Sequence, residues 1–164
     1  MVNAIAILQS ATAIIGTVYF TQSGGPYGPT TIHANISGVG PGLHGMHVHE
    51  YGDLSNGCES MGLHFNPYNQ DHGGPFDKVK HVGDFGNVNV DESGHADFTL
   101  TVDSLTLEGP NSIIGRGIIL HSGVDDLGRG NATSKIAGNS GSRLACGVIG
   151  IPNPNNTYWQ SHHY

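Results

Sequence analysis

Short segments in which apolar and polar residues alternate run along the chain, and turns rich in glycine and proline separate them. Eight of these segments are rich in β-branched residues and predict strands at 3–9, 14–22, 31–38, 42–50, 87–90, 96–102, 113–121 and 144–151. The breakers SGGPYGP and GVGPG, and the hairpin signal DESGH, lie between them. The pattern therefore predicts an all-β domain of eight antiparallel strands.

Two long stretches, residues 51–84 and 122–143, interrupt this pattern and carry no strand signal. Each begins directly after a strand that contains histidine. Because structureless loops of this length are uncommon in compact domains and are often functional, we expect both loops to contribute to a site. The final PNPNNTYWQSHHY changes in composition, so we expect a domain at 1–151 and a solvated C-terminal tail at 152–164.

The composition narrows the class of protein. The 26 glycines and a charged fraction of 12%, against roughly 25% in average domains, suit a turn-rich β protein. The net charge of -7 and only six basic residues argue against nucleic-acid binding. No apolar run is long enough to span a membrane, and the opening MVNAIAILQS lacks the basic region of a signal peptide. We therefore expect a cytoplasmic protein, or a secreted one if a leader has been removed.

The chain contains two cysteines, Cys58 and Cys146, which are far apart in sequence and in no CxxC pair. They cannot form a thiolate metal site alone, so they are either a disulfide or two buried thiols. In a reducing compartment, residue counting favours the two free thiols.

The stretch GLHGMHVHEYGD places His47 and His49 on one face of a predicted strand, because side chains two residues apart point to the same side. Asp84 closes the first long loop, and further imidazoles lie in that loop or at a strand end: His64, His72, His81 and His121. Imidazole suits copper and zinc, and a carboxylate can complete a zinc site. Six imidazoles and one carboxylate are one ligand short of two four-coordinate ions, unless one histidine bridges both through its two nitrogens. The residues alone predict a divalent metal site.

Five stretches resemble the copper/zinc superoxide dismutase family in order and spacing: GLHGMHVHEYGD, GLHFNPYNQDHGGP, KHVGDFGNV, IIGRGIILHSGVDDLGRG and GNSGSRLACGVIGI. The resemblance implies copper held by His47, His49, His64 and His121. It implies zinc held by His64, His72, His81 and Asp84, so that His64 is the bridge. Asp125 would link His47 to His72, and Arg143 would lie beside the copper.

The same resemblance implies the fold and the assembly. The strands would form a Greek-key sandwich closed into a flattened eight-stranded barrel, with both metals under the two long functional loops. Cys58 and Cys146 would form a disulfide, against the preference from residue counting, and His44 would be structural. A copper chaperone would load the metal. A homodimer would form through Ile5, Ile7, Gly52, Ile114 and Ile151.

The implied reaction is the dismutation of superoxide to dioxygen and hydrogen peroxide by alternate reduction and oxidation of copper. His64 would bind the metal and supply a proton, and Arg143 would position the anion, because a guanidinium has fixed donors and a permanent charge. Lys135 and Arg143 would attract the anion. Around the lysine, the chain departs from the common family pattern at Ala132, Thr133 and Ile136. We therefore expect the strength of this attraction to differ from that in other members of the family.

Three other functions are open at this point. A metallochaperone domain of the same fold would deliver copper, but such domains typically lose ligands and none is missing here. A copper-only dismutase would lack zinc ligands, yet His72, His81 and Asp84 are present. A passive metal store would hold copper that does not cycle, and the presence of Arg143 and Asp125 argues against it.

Overall fold

This computed structural model describes residues 1–156 of the chain. These residues contain nine β-strands and very little helix. The strands are β1 Val2–Gln9, β2 Ile14–Gln22, β3 Thr30–Ser37, β4 Gly42–His49, β5 Ser55–Cys58, β6 Asp84–Val90, β7 His95–Val102, β8 Gly117–His121 and β9 Arg143–Val148. One short helix, α1, spans Ser134–Ala137, and two 3₁₀ turns span Gly25–Tyr27 and Glu59–Met61. None of the described helices has the length and apolar character needed to cross a membrane.

Eight of the strands form one antiparallel sheet in the order β6-β4-β8-β9-β1-β2-β3-β7, and β5 stays outside it. The two end strands, β6 and β7, are consecutive in the chain. They are joined by a tight turn in which the Gly94 N–H donates to the Asp91 carbonyl over 2.9 Å. The sheet therefore curls into a nearly closed barrel. The predicted all-β fold of eight antiparallel strands is confirmed.

Alternation along the strands separates the barrel interior from the outer faces. On β4, Met46 and Val48 are completely buried in the main core. The same cluster contains large side chains from four other strands: Phe20, Ile32, Phe85, Ile118 and Leu120. Ile119 points the other way and forms a second, smaller cluster with Met61 and Cys146. The first long loop is thus packed against the outer face of β8 and β9.

The strand predicted at 113–121 begins only at Gly117, so its first four residues were predicted wrongly. Residues 113–116 form a turn in which the Arg116 N–H donates to the Ile113 carbonyl over 3.0 Å. Gly115 has a φ of +87°, a conformation that an extended strand does not contain.

Both long loops carry short elements that the hydrophobic pattern did not predict. The first loop contains β5, whose sequence SNGC has no β-branched residue, and β6 begins at Asp84, three residues before the predicted strand. The second loop contains α1. At the C-terminus, residues 152–156 form no strand. The predicted tail residues Tyr158, Trp159, His162 and His163 lie outside the described part of the chain, and the domain boundary at 151 stays a prediction.

Candidate metal centre

Strand β4 carries two histidines on the outer surface of the barrel. Met46 and Val48 point into the core, so His47 and His49, which alternate with them, point outward, with ring centroids 6.3 Å apart. His121 ends the neighbouring strand β8, and its ring centroid lies 5.1 Å from that of His47. Three imidazoles from two paired strands therefore meet at one place.

The first long loop brings His64 to the same place because backbone hydrogen bonds fasten the loop to β4. The Phe65 N–H donates to the Val48 carbonyl over 2.8 Å, and the Gly83 N–H donates to the Phe65 carbonyl over 3.0 Å. The His64 ring stacks on that of His47 with centroids 4.0 Å apart.

Four buried histidines form the first candidate metal site, which we call the four-histidine group: His47, His49, His64 and His121. One ligand nitrogen from each lies within 4.8 Å of the others. Within residues 1–156, four ring nitrogens in this group have no hydrogen-bond partner: His47 Nδ1, His49 Nε2, His64 Nε2 and His121 Nε2. Buried polar atoms are normally hydrogen-bonded, so four unpaired nitrogens in one place fit a bound cation.

The second nitrogen of each strand histidine is held by an acceptor, which fixes the tautomer of the ring. The His49 Nδ1 donates to the Gly62 carbonyl over 3.0 Å, and the His121 Nδ1 donates to the Gly141 carbonyl over 3.2 Å. The His47 Nε2 lies 2.7 Å from an oxygen of Asp125. Each ring therefore donates its N–H to a protein acceptor, and its other nitrogen has a lone pair available for a metal ion.

The second candidate site, the three-histidine-aspartate group, consists of His64, His72, His81 and Asp84. The Asp84 carboxylate lies 2.9 Å from His64 Nδ1, 2.9 Å from His72 Nδ1 and 3.3 Å from His81 Nδ1. Tetrahedral zinc with ligands at about 2.0 Å has edges of about 3.3 Å between ligand atoms, close to these separations. His64 belongs to both groups, with Nδ1 in this one and the unpaired Nε2 in the other.

Asp125 connects the two groups from outside. One of its oxygens lies 2.7 Å from His47 Nε2 and the other lies 2.7 Å from His72 Nε2. Asn87 on β6 holds the Asp125 backbone through two hydrogen bonds of 2.9 and 2.8 Å. A Cβ added to Gly138 would collide with the Asp125 carboxylate, so only glycine fits at this position.

Burial keeps the four-histidine group uncharged at neutral pH. It is the main cause that lowers the pKa of His47 from 6.5 to about 3 and that of His121 to about 4. Burial also lowers the pKa values of His49 and His64. Neutral imidazoles have the free lone pairs that metal binding needs.

The carboxylates of Asp125 and Asp84 have the opposite effect on the pKa of His72. Burial alone would lower its pKa, but hydrogen bonding to Asp125 and Asp84 outweighs burial and raises the pKa to about 9. Burial would raise the pKa values of Asp84 and Asp125, but hydrogen bonds from their histidine partners lower both pKa values well below the usual range. Both carboxylates are therefore ionised at neutral pH.

The two basic residues predicted near the site differ in exposure. Arg143 begins β9 and donates from Nη1 to the Cys58 carbonyl over 2.7 Å and from Nη2 to the Gly62 carbonyl over 2.6 Å. Lys135 is exposed on α1 and lines a cavity of about 580 Å³ together with His64. Arg143 is thus fixed close to the site, whereas Lys135 lies at its rim.

A disulfide joins Cys58 to Cys146, with the two Cα atoms 5.7 Å apart. The pairing implied by the family resemblance is confirmed, and the free thiols favoured by residue counting were wrong. Because Cys58 ends β5 in the first loop and Cys146 lies on β9, the bond ties that loop to the barrel. It also holds the carbonyl that Arg143 contacts.

Three other histidines of the described residues stay outside both groups. His44 is buried at the opposite end of β4, where its ring nitrogens lie 2.9 Å from the His121 carbonyl and 2.8 Å from the Gly40 carbonyl. His44 is therefore structural, as expected. His33 lies 2.8 Å from Asp97 on the outer face of β3 and β7, and His95 begins β7.

A sequence profile of the family described as Copper/zinc superoxide dismutase (SODC) matches residues 14–149. The chain belongs to this family. Members of the copper/zinc superoxide dismutase family are oxidoreductases that act on superoxide and bind copper and zinc, and the two groups described above fit such sites. The nearly closed barrel of eight antiparallel strands is also consistent with this family.

Several contributors to the centre were not predicted from the sequence. The carbonyls of Gly62 and Gly141 orient two histidines, but a backbone carbonyl leaves no signal in the residue type. Asn87 was assigned only to a strand, although a polar side chain next to the metal-bearing loops is a usable signal. Glu59 lies 3.8 Å from Arg143 and was not considered.

Proposed function

We propose that this protein catalyses the dismutation of superoxide: two superoxide ions and two protons give one dioxygen and one hydrogen peroxide. The proposed copper ligands are His47, His49, His64 and His121. The proposed zinc ligands are His64, His72, His81 and Asp84. The observation that carries the proposal is that two buried groups share one histidine, whose two ring nitrogens face different groups. Bound copper would supply the redox centre that takes an electron from one superoxide and passes it to the next.

The residues of the chain would move the proton and position the substrate. His64 Nε2 has no hydrogen-bond partner in the described part of the chain, so this nitrogen can hold a proton when it is not bound to copper and deliver it to the reduced substrate. The three-histidine-aspartate group, in which His64 Nδ1 lies 2.9 Å from Asp84, would keep the ring in place during this transfer. Arg143, fixed by two carbonyls, would orient a small anion with its remaining donors.

Two other functions have weaker support. A metallochaperone domain needs an open or incomplete site from which copper can leave, whereas the four-histidine group is complete and buried. A passive metal store does not require a guanidinium fixed beside its metal site, as that of Arg143 is here. These differences favour the catalytic function.

The decisive experiment measures the rate of superoxide dismutation by protein reconstituted with copper and zinc, across a range of ionic strength. A rate close to the diffusion limit that falls with added salt is expected. His121→Ala should abolish it, and His95→Ala, which removes an imidazole outside both groups, should leave it unchanged. Fully metallated protein that is no more active than free copper would refute dismutation and favour storage or delivery.

We propose that the protein forms a homodimer, as members of this family commonly do. A groove of about 600 Å³ runs along β1 and β9, and its apolar lining includes Ile5, Ile7 and Val148. Ile151, just beyond β9, is 81% exposed. The lining also contains Gln9, Glu59 and Arg143, so it is the apolar part of the groove that suits a self-complementary contact.

Two further proposals concern the cell. We propose loading by a copper chaperone, because the four-histidine group is buried beneath the first loop. Copper content of protein expressed with and without a copper chaperone tests this, and equal content would contradict it. We also propose a cytoplasmic location, and cell fractionation tests it: recovery of the protein only from the culture medium would contradict this proposal.

A further inference from the structure

Glu59 is an acidic residue beside the guanidinium that is proposed to receive the substrate. It begins the 3₁₀ turn Glu59–Met61, directly after the disulfide cysteine Cys58. Its carboxylate Oε2 lies 3.8 Å from Arg143 Nε. The Glu59 side chain is 70% exposed and that of Arg143 is 16% exposed. The pair therefore stands at the boundary between solvent and the metal centre.

The hydrogen bonds of Arg143 leave few donors for an anion. Its Nη1 donates to the carbonyls of Cys58 and, over 3.4 Å, of Glu59, and its Nη2 donates once to the Gly62 carbonyl. The Nε N–H and the second N–H of Nη2 make no hydrogen bond within residues 1–156. An anion bound by Arg143 would use these two donors, and the Glu59 carboxylate lies next to Nε.

The charge of Arg143 reaches the four-histidine group. The Arg143 Nη2 donates to the Gly62 carbonyl, which also accepts from His49 Nδ1, so the field of the guanidinium acts on this group. A carboxylate at 3.8 Å offsets part of this field at the point where an anion enters. Because Glu59 is largely exposed, solvent screens the effect and keeps it modest.

We propose that Glu59 is a positioning and specificity residue for anion capture: its carboxylate competes for the Nε side of Arg143 and disfavours doubly charged anions more than singly charged ones. The proposal rests on the proposed dismutase function for its biological meaning. Electrostatic repulsion scales with the charge of the entering anion, so a dianion is repelled about twice as strongly as a monoanion. Glu59 would thus lower the affinity for anions in general and favour a monoanion such as superoxide over a dianion such as hydrogen phosphate.

The test compares anion binding by Glu59→Gln, Glu59→Asp and wild-type protein, all loaded with copper and zinc. Azide is the monoanion probe and inorganic phosphate, at a pH well above its second pKa, is the dianion probe, each titrated at low ionic strength through the copper absorption band. Glu92→Gln, in the exposed β6–β7 turn, makes the same charge change away from Arg143. Thermal unfolding of each variant checks that the fold is retained.

Glu59→Gln should tighten azide binding about 2-fold and phosphate binding about 4-fold, because the free energies scale with charge. Glu59→Asp, which keeps the carboxylate, should stay near wild type, and Glu92→Gln should change either affinity by less than the azide effect. The gain in Glu59→Gln should disappear near 1 M salt, where the Debye length is about 3 Å.

Equal affinities in Glu59→Gln and Glu92→Gln would overturn the proposal. So would equal changes for azide and phosphate, since these would point to rearranged packing and not to charge. The binding titrations do not require turnover, so loss of the proposed dismutase function and failure of the Glu59 proposal are separate outcomes. If the wild type does dismutate superoxide, Glu59→Gln should also raise kcat/KM about 2-fold at low salt and not at high salt.

Discussion

Asp125 decides which nitrogen of two histidines faces a metal ion. Its two oxygens accept from the Nε2 atoms of His47 and His72, so each ring directs Nδ1 toward its candidate metal group. A single carboxylate therefore sets the tautomer of one ligand in each group. Asn87 and the close approach of Gly138 keep that carboxylate in position.

Asp125→Asn should weaken metal binding by about 10–100-fold. The amide oxygen can accept from only one of the two rings, and the amide N–H₂ group turned toward the other ring forces its proton onto the ligand nitrogen. Zinc and copper affinities, measured by competition with a chelator, check this. Asp97→Asn removes a carboxylate beside His33, outside both groups, and should leave both affinities unchanged. An equal loss in the two variants would contradict the role of Asp125.

Metal-free protein should lose stability as the pH falls from about 6.5 toward 4. Over this range the unfolded chain protonates His47 and His121 at their ordinary pKa of 6.5, whereas the folded chain resists protonation until about pH 3 and 4 respectively. Protons therefore favour unfolding. His72 acts oppositely: its raised pKa contributes stability below 6.5 that is lost as the pH rises through about 9.

Thermal unfolding of chelator-treated protein between pH 4 and 10 measures both limbs of this dependence. His121→Ala should make the acid limb shallower, because it removes one of the groups that the unfolded state protonates. His95→Ala is the matched control. An acid limb of unchanged slope in His121→Ala would argue that other groups dominate.

At the scale of elements, the disulfide is a covalent link between the first loop and the barrel, in addition to the backbone hydrogen bonds that join this loop to β4. It links β5 to β9 across a sequence separation of 88 residues. The second cluster of buried apolar side chains packs directly around it. Arg143, at the start of β9, contacts the carbonyl of the same cysteine. One covalent bond therefore contributes both to the anchoring of the loop and to the positioning of Arg143.

The double variant Cys58→Ser/Cys146→Ser should lower the free energy of unfolding by about 4–5 kcal/mol, as expected from the loss of a constraint on a loop of this length. Chemical denaturation of the metal-free protein measures the change. Ser60→Ala, in the same loop, removes hydroxyl contacts to Asp53 and Gly57 and should cost about 1 kcal/mol. Similar losses in the two variants would show that the covalent constraint contributes little.

Most elements could be predicted because their side chains alternate. The pattern in β4 predicted both its limits to within a residue and the shared face of His47 and His49. It failed at 113–116, where apolar residues line a turn set by Gly115 and by hydrogen bonds that the sequence does not display. It also failed at β5, which exists because the disulfide and Met61 pack there and not because SNGC favours a strand. Tertiary contacts overrode local preference in both places.

At the scale of the whole molecule, the apolar groove along β1 and β9 predicts self-association. Ile7→Asp and Ile151→Asp should shift the protein toward monomer, because each puts an unpaired charge into the proposed contact. Sedimentation velocity across a range of protein concentrations measures this. Leu43→Asp is a matched control, since Leu43 on β4 and Ile7 on β1 are both 44% exposed. A wild type that is monomeric at all concentrations would contradict the dimer.

The order of the metal-centre residues along the chain has a consequence for synthesis on the ribosome. All four members of the three-histidine-aspartate group lie within residues 64–84, whereas the four-histidine group is incomplete until His121 on β8 has been synthesised. At about 5–20 residues per second, the 37 residues from 85 to 121 take roughly 2 to 7 seconds to make. A nascent chain therefore contains every proposed zinc ligand before it contains the last proposed copper ligand. This order along the chain favours zinc binding before copper binding.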